Sequence, residues 1–336
     1  MKKINILTCA MVALSMACTN NDEQENVPNN YPTDNIIRVT AGVNNPMTRG
    51  GETGTTEVKL FPYTGDLALT VVNVANNKYT YANKRFTYAS GTDWTCTETL
   101  LWQNAATPVK IAAVAPYDAS YEVYDGLKKS KRFSYQLKSD QTTTDPKNDL
   151  LHYFNNNFTP NDDLNSDKKL ALTLNHAFCL FDINVILGTE FNTSTGLSTD
   201  PIQSATISGI YNNAEIDVWD NPVKVYVITS GTNGVREKII PTPGTFTAVS
   251  DAKLNAKKQF SCIVLPQELS AANFTVTLQT TSGKKYEWSP ATNITIESGK
   301  KYTLNLSMGD NKLVLSKEGI TANAWTDGTG GSLETD

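Results

Sequence analysis

Near the C-terminal end, Phe274, Val276 and Leu278 alternate with Thr275, Thr277 and Gln279, and Tyr302, Leu304, Leu306 and Met308 alternate with Thr303, Asn305 and Ser307. Successive side chains of an extended strand point to opposite faces, so each of these runs has one face for a core and one for water. No segment sustains helical spacing for three turns. The fold class is therefore all-β, with antiparallel sandwiches expected rather than βαβ units.

The same rhythm organises the first half. Ile36–Val43, Val58–Pro62, Leu67–Val74, Tyr79–Tyr88, Thr97–Trp102 and Val109–Pro116 read as strands separated by Gly, Asn, Asp and Pro clusters. Lys138–Lys169 breaks the rhythm with SDQTTTDPKND, a short apolar DLLHYF and NNNFTPNDDLNSDKK, and its end is the expected domain boundary. The period then restarts at Leu170, Leu172 and Leu174 but changes parity to Phe181, Ile183, Val185 and Leu187, which predicts a bulge or tight bend near His176–Cys179. Two β-sandwich domains result, over 36–167 and 168–336. The tail from Gly319 passes through Trp325 into Gly-rich polar sequence, expected to be poorly ordered alone.

The N-terminus addresses the chain. Lys2 and Lys3 precede the uncharged run Ile4–Met16, and Ala17 stands before Cys18, the pattern of an export signal over 1–17 and too short for a spanning helix. The ending Leu-Ser-Met-Ala-Cys resembles a bacterial lipobox, which makes Cys18 the lipidation candidate. A diacylglyceryl thioether plus an amide-linked acyl chain such as palmitate exceeds what stable membrane anchoring needs. A plain secretory signal with an incidental cysteine is the alternative. Residues 18–35, polar and acidic, read as a lipidated tether. Asn44–Thr56 (NNPMTRGGETGTT) reads as an exposed loop with Arg49 followed by Gly50 and Gly51, a good protease substrate, although a solvated arginine is equally ordinary there.

Little in the chain points to chemistry. A net charge of −5 gives no basic footprint for nucleic acid. Cys96, Cys179 and Cys262 are widely spaced, suggesting neither disulfide framework nor zinc knuckle, and the latter two read as buried free thiols. His152 and His176 stand in no metal or catalytic spacing. Asp163-x-Asn165-x-Asp167 opens like a calcium loop but continues with Lys168 where glycine is needed and Leu174 where the bidentate Glu belongs. Trp94, Trp102, Trp219 and Trp288 are either sugar-stacking surfaces or core and edge residues. No catalytic residue, metal or cofactor is expected.

Several stretches line up in order: the lipobox leader, IIRVTAGV followed by MTRG, NDLLHY before LALTLNHAF, IQSATISGI, NITIESGKKYTLNLSM, and finally Ile320 with Ala324-Trp325. Together they resemble the fimbrillin family of Gram-negative anaerobes, the subunits of type V fimbriae. The resemblance implies a two-domain, transthyretin-like β-sandwich pilin, exported as an outer-membrane lipoprotein and built into cell-surface fimbriae for adhesion. It further implies that an arginine-specific protease cuts between Arg49 and Gly50, removing the first strand and the lipid, and that a strand from another fimbrial subunit fills the groove. The tail departs from a stalk subunit's donor strand, since ITANAW is followed by GTGGSLETD, poor strand material. A tip adhesin, with a host or microbial surface ligand, or an uncut anchor stays open. The alternative function is a glycan-binding surface lipoprotein that does not polymerise.

Overall fold

The computed structural model describes residues 30–46, 58–91, 93–125, 131–143 and 145–325. It is β almost throughout. In chain order, the first part holds β1 (Val39–Pro46), β2 (Val58–Pro62), β3 (Leu67–Val72), β4 (Tyr81–Ser90), β5 (Asp93–Cys96), β6 (Val109–Ala115), β7 (Phe133–Gln136), β8 (Leu151–Phe158) and β9 (Leu170–His176). The middle holds β10 (Cys179–Leu187), β11 (Ile202–Tyr211), β12 (Asn213–Asp217), β13 (Lys224–Val227), β14 (Arg236–Ile239), β15 (Thr242–Thr247) and β16 (Lys257–Val264). Then follow β17 (Glu268–Leu269), β18 (Thr275–Thr280), β19 (Lys285–Trp288), β20 (Ile294–Thr295), β21 (Lys300–Met308) and β22 (Leu313–Ala324).

An eight-stranded sheet runs β2-β1-β9-β8-β6-β3-β4-β5. A five-stranded sheet, β15-β16-β10-β21-β22, and a four-stranded sheet, β14-β11-β18-β19, supply the second half, and a small sheet β13-β12-β7 joins one strand of the first half to two of the second. The alternation read from sequence sets the burial. Phe274, Val276 and Leu278 are buried, as are Tyr302, Leu304, Leu306 and Met308, and the ring of Phe274 meets Phe181 edge-on across the core at 6.0 Å. Asn305 departs from the pattern. It is buried on the polar face, where its side chain accepts from Asn184 Nδ2 at 3.1 Å and donates to the Gly319 carbonyl at 3.2 Å.

β3 and β6 are buried on both faces. Leu67, Leu69, Val71, Ile111 and Ala113 enter one core with Trp102 and Phe158, while Ala68, Ala112 and Val114 enter the other. These two strands are thus a shared wall between the cores, which explains why LALTVV and VKIAAVA are apolar apart from Thr70 and Lys110 rather than alternating.

Two expected elements are placed differently. Asp93–Cys96 is the strand, whereas Thr97–Trp102 is not; there Leu101 forms an isolated bridge with Ile36 while Trp102 is buried and stacks on Phe158 at 5.6 Å. The stretch expected to interrupt the rhythm contains β8, which pairs with both β6 and β9. β9, beyond residue 168, also hydrogen-bonds within this first sheet.

The parity change is a bend. β9 buries even-numbered residues and β10 odd-numbered ones, and between them Ala177 and Phe178 carry the chain from one sheet to another. Both are fully buried, with Phe178 against Tyr135 at 4.8 Å between ring centroids. Truncation at this pivot should be costly: Phe178→Ala is expected to destabilise by about 3–5 kcal/mol, the range for deleting a buried phenyl, measured as a shift in denaturation midpoint at unchanged slope.

Candidate assembly site

β1 occupies an interior position of the large sheet, although it is the first strand among the described residues. On one side it pairs antiparallel with β2, from Gly42↔Pro62 to Pro46↔Val58. On the other it pairs parallel with β9, Val39↔Leu170 through Val43↔Leu174, so that Val39, Ala41 and Val43 lie beside Leu170, Leu172 and Leu174 on the inward face. Ile37, Val39 and Val43 are buried in the core and Ala41 packs against it. At roughly 2 kcal/mol per buried aliphatic side chain, the three together contribute about 6 kcal/mol.

Upstream, Ile37 N donates to Leu100 O and Trp102 N to Asn35 O, each at 2.8 Å, which extends the docking of this segment to Asn35. The Arg38 guanidinium grips Asp34 and holds that carboxyl well below the usual range, on the solvent side. At the other end Asn44 Nδ2 donates to Asn175 Oδ1 at 2.8 Å.

β1 is the ladder partner on which both neighbours depend. β2 pairs with no other strand among the described residues, and β9 has a second partner, β8, only at Asn175 and His176. Withdrawing β1 would leave Leu170–Leu174 without a ladder on either edge and open an apolar slot. The connection between β1 and β2 contains Arg49 and Gly50; these two residues, like Cys18, lie outside the described residues.

The C-terminal reading needs correction. Gly319–Ala324 continues β22, the edge strand of the five-stranded sheet, and Trp325 is buried. A break precedes this stretch, since Leu304 pairs with Ile320 but Leu306 pairs with Leu315, so Ser316–Gly319 bulge out; the segment read as poor strand material, GTGGSLETD, lies outside the described residues. Residues 326–336 lie outside the described residues.

The remaining candidates are structural. Trp102 is in the core; Trp219 donates Nε1–H to Val123 O at 2.6 Å; Trp288 meets Phe274 edge-on. Trp94 stacks on Tyr63 at 6.0 Å, partly exposed. Cys179 and Cys262 are buried free thiols, pushed far above the usual thiol range by desolvation. Asp163 Oδ2 accepts from Thr159 N, and Asn165 Oδ1 accepts from Asp167 N and Lys169 N, so these two oxygens are engaged by nearby backbone. Among the described residues no group of three or more His, Cys, Asp or Glu is placed to hold a metal ion. His176 Nδ1 lies 2.9 Å from Asp149 Oδ1, and its ring stacks flat on Trp325. Sequence reasoning did not foresee that contact, because the two residues are distant in the chain and stand in separate stretches with no local signal that joins them.

Comparison with known proteins places the chain. The profile of a family described as fimbrillin-like matches residues 38–325. Crystal structures with similar folds include a protein of Bacteroides ovatus assigned to cell adhesion, with TM-score 0.61 and 12% identity over 88% of this chain and 99% of that one. A second such protein, from Bacteroides uniformis, has TM-score 0.56 and 18% identity over 88% and 100%. A fimbrial protein of Bacteroides vulgatus has TM-score 0.56 and 14% identity over 86% and 99%. No curated protein matches the chain.

Proposed function

The chain belongs to the fimbrillin-like family of fimbrial subunits, and from that premise we propose that it is a structural or tip-adhesive subunit assembled by protease-triggered strand exchange. In this reading the chain is exported as an outer-membrane lipoprotein held at Cys18. Cleavage after Arg49 detaches β1 together with the lipid, and a strand of another subunit takes its place. The observation that carries the proposal is the position of β1: an N-terminal strand seated between two strands that lean on it for their ladders, with Ile37, Val39 and Val43 filling a core. A segment that a single backbone cut detaches, yet that is structurally interior, can be replaced without rethreading the chain.

Lipid-free precursor treated with an arginine-specific protease should be cut once after Arg49, and the product should migrate as oligomers in size-exclusion chromatography. An Arg49→Ala chain should stay intact and monomeric. Cutting elsewhere, or a cleaved product that remains monomeric at high concentration, overturns the proposal. The mass of the native N-terminus distinguishes a lipid-bearing Cys18 from a chain starting at Gly50.

A further inference from the structure

β9 touches both ends of the chain. Along Leu170–Leu174 its ladder is made by β1 alone, and its last residue, His176, is the platform for Trp325. The His176 and Trp325 rings lie 3.7 Å apart at 9°, with the Asp149 carboxylate fixing the imidazole from behind at 2.9 Å. Trp325 N donates to Gly299 O, and Gly299 N to Phe178 O, both at 2.8 Å, so the indole is tied to the same pivot between β9 and β10.

Trp325 is the buried end of the C-terminal arm, in which Ile320–Ala324 pair with β21 and Ile320 and Ala322 rest on the edge of the core. Beyond the bulge at Ser316–Gly319, every described residue from Ile320 to Ala324 is half-buried or exposed on an edge strand, and Trp325 alone is buried. Gly319 has φ +62°, a left-handed conformation at the base of the arm that favours glycine and breaks the strand there. Ile320–Trp325 can therefore peel from β21 while Leu313–Leu315 stay paired with Leu306–Met308.

We infer that the His176–Trp325 stack is a latch coupling β1 to the C-terminal arm: withdrawal of β1 leaves β9 held, among the described residues, only by β8 at Asn175 and His176, the imidazole platform shifts, and the C-terminal arm is freed. His176 acts as a positioning residue and touches no ligand. The assembly meaning of the latch rests on the strand-exchange reading above; a subunit whose acceptor slot has opened would then be the one that offers an arm. Coupling of this kind is reciprocal, because both segments bias the same element.

Amide hydrogen exchange on the full-length chain tests it. Trp325→Ala should speed exchange at 320–324 and also, through β9, at 39–43 and 170–174, by roughly tenfold. His176→Ala should do the same, and His176→Phe, which keeps a flat ring, should restore slow exchange at both ends. Fast exchange confined to 320–324 in Trp325→Ala, with β1 and β9 unchanged, overturns the latch. The cleaved chain, kept dilute and monomeric, gives a second measurement without mutation. Oligomers formed with no prior loss of protection at 320–325 would refute the latch and leave strand exchange standing, whereas lost protection without oligomers would uphold the latch and refute strand exchange.

Discussion

Val39→Asp is expected to destabilise the protein by roughly 4 kcal/mol, the scale for leaving a carboxylate unpaired in a core, while Thr40→Asp, one residue on, should cost less than about 1 kcal/mol. Val39 is 1% exposed and belongs to one core with Leu69, Ile111 and Trp102, whereas Thr40 is half-buried on the opposite face of β1. Because β1 supports β2 and the first five residues of β9, the damage should spread: exchange should accelerate at Leu170–Leu174 as well as within β1. Denaturant titration of both variants gives the energies. Equal costs for the two substitutions would show that β1 is not seated with its odd-numbered residues inward.

A second large effect should appear with pH. His152 is buried on β8, opposite Val114 and Asn175, with Nδ1 lacking a hydrogen-bond partner among the described residues. Desolvation, and then the nearby His176, push its pKa down to about 4. Since the unfolded imidazole titrates near 6.5, the unfolded chain binds the proton first, so stability falls as pH drops from about 6.5 and the loss levels off near 4. The total is on the order of 3 kcal/mol. Asp118, held at about 2 first by hydrogen bonds from Ser120 and then by Lys147, loses its contribution only at pH values below the ordinary carboxylate range, in a separate window. Chemical denaturation of wild type and His152→Gln at pH 7, 5 and 4 separates the two. A slope between pH 6.5 and 4 that survives the substitution would assign the sensitivity to other groups.

Strands with one wet face were legible in the sequence, and β18 and β21 fall where alternation puts them. β5 escapes the sequence reading because its apolar stripe is only Trp94 and Cys96, each half-buried, while Leu100 and Trp102 next to it fill the core without joining a long ladder. β8 was hidden by Asn155–Asn157, which look like turn formers yet lie on an extended strand. The Trp325 anchor was invisible for a different reason: an indole after a glycine-broken strand has no local signature, and its partner lies on another sheet.

The alternation of side chains and the parity change at His176–Cys179 were determined by the sequence itself, because a strand's two faces are local consequences of its covalent geometry. Tertiary structure decided which strands meet. The parallel pairing of β1 with β9, the shared wall of β3 and β6 and the stacking of Trp325 on His176 all join residues far apart in the chain. Each such contact carries a loop-closure cost that is repaid only when the whole core closes around it.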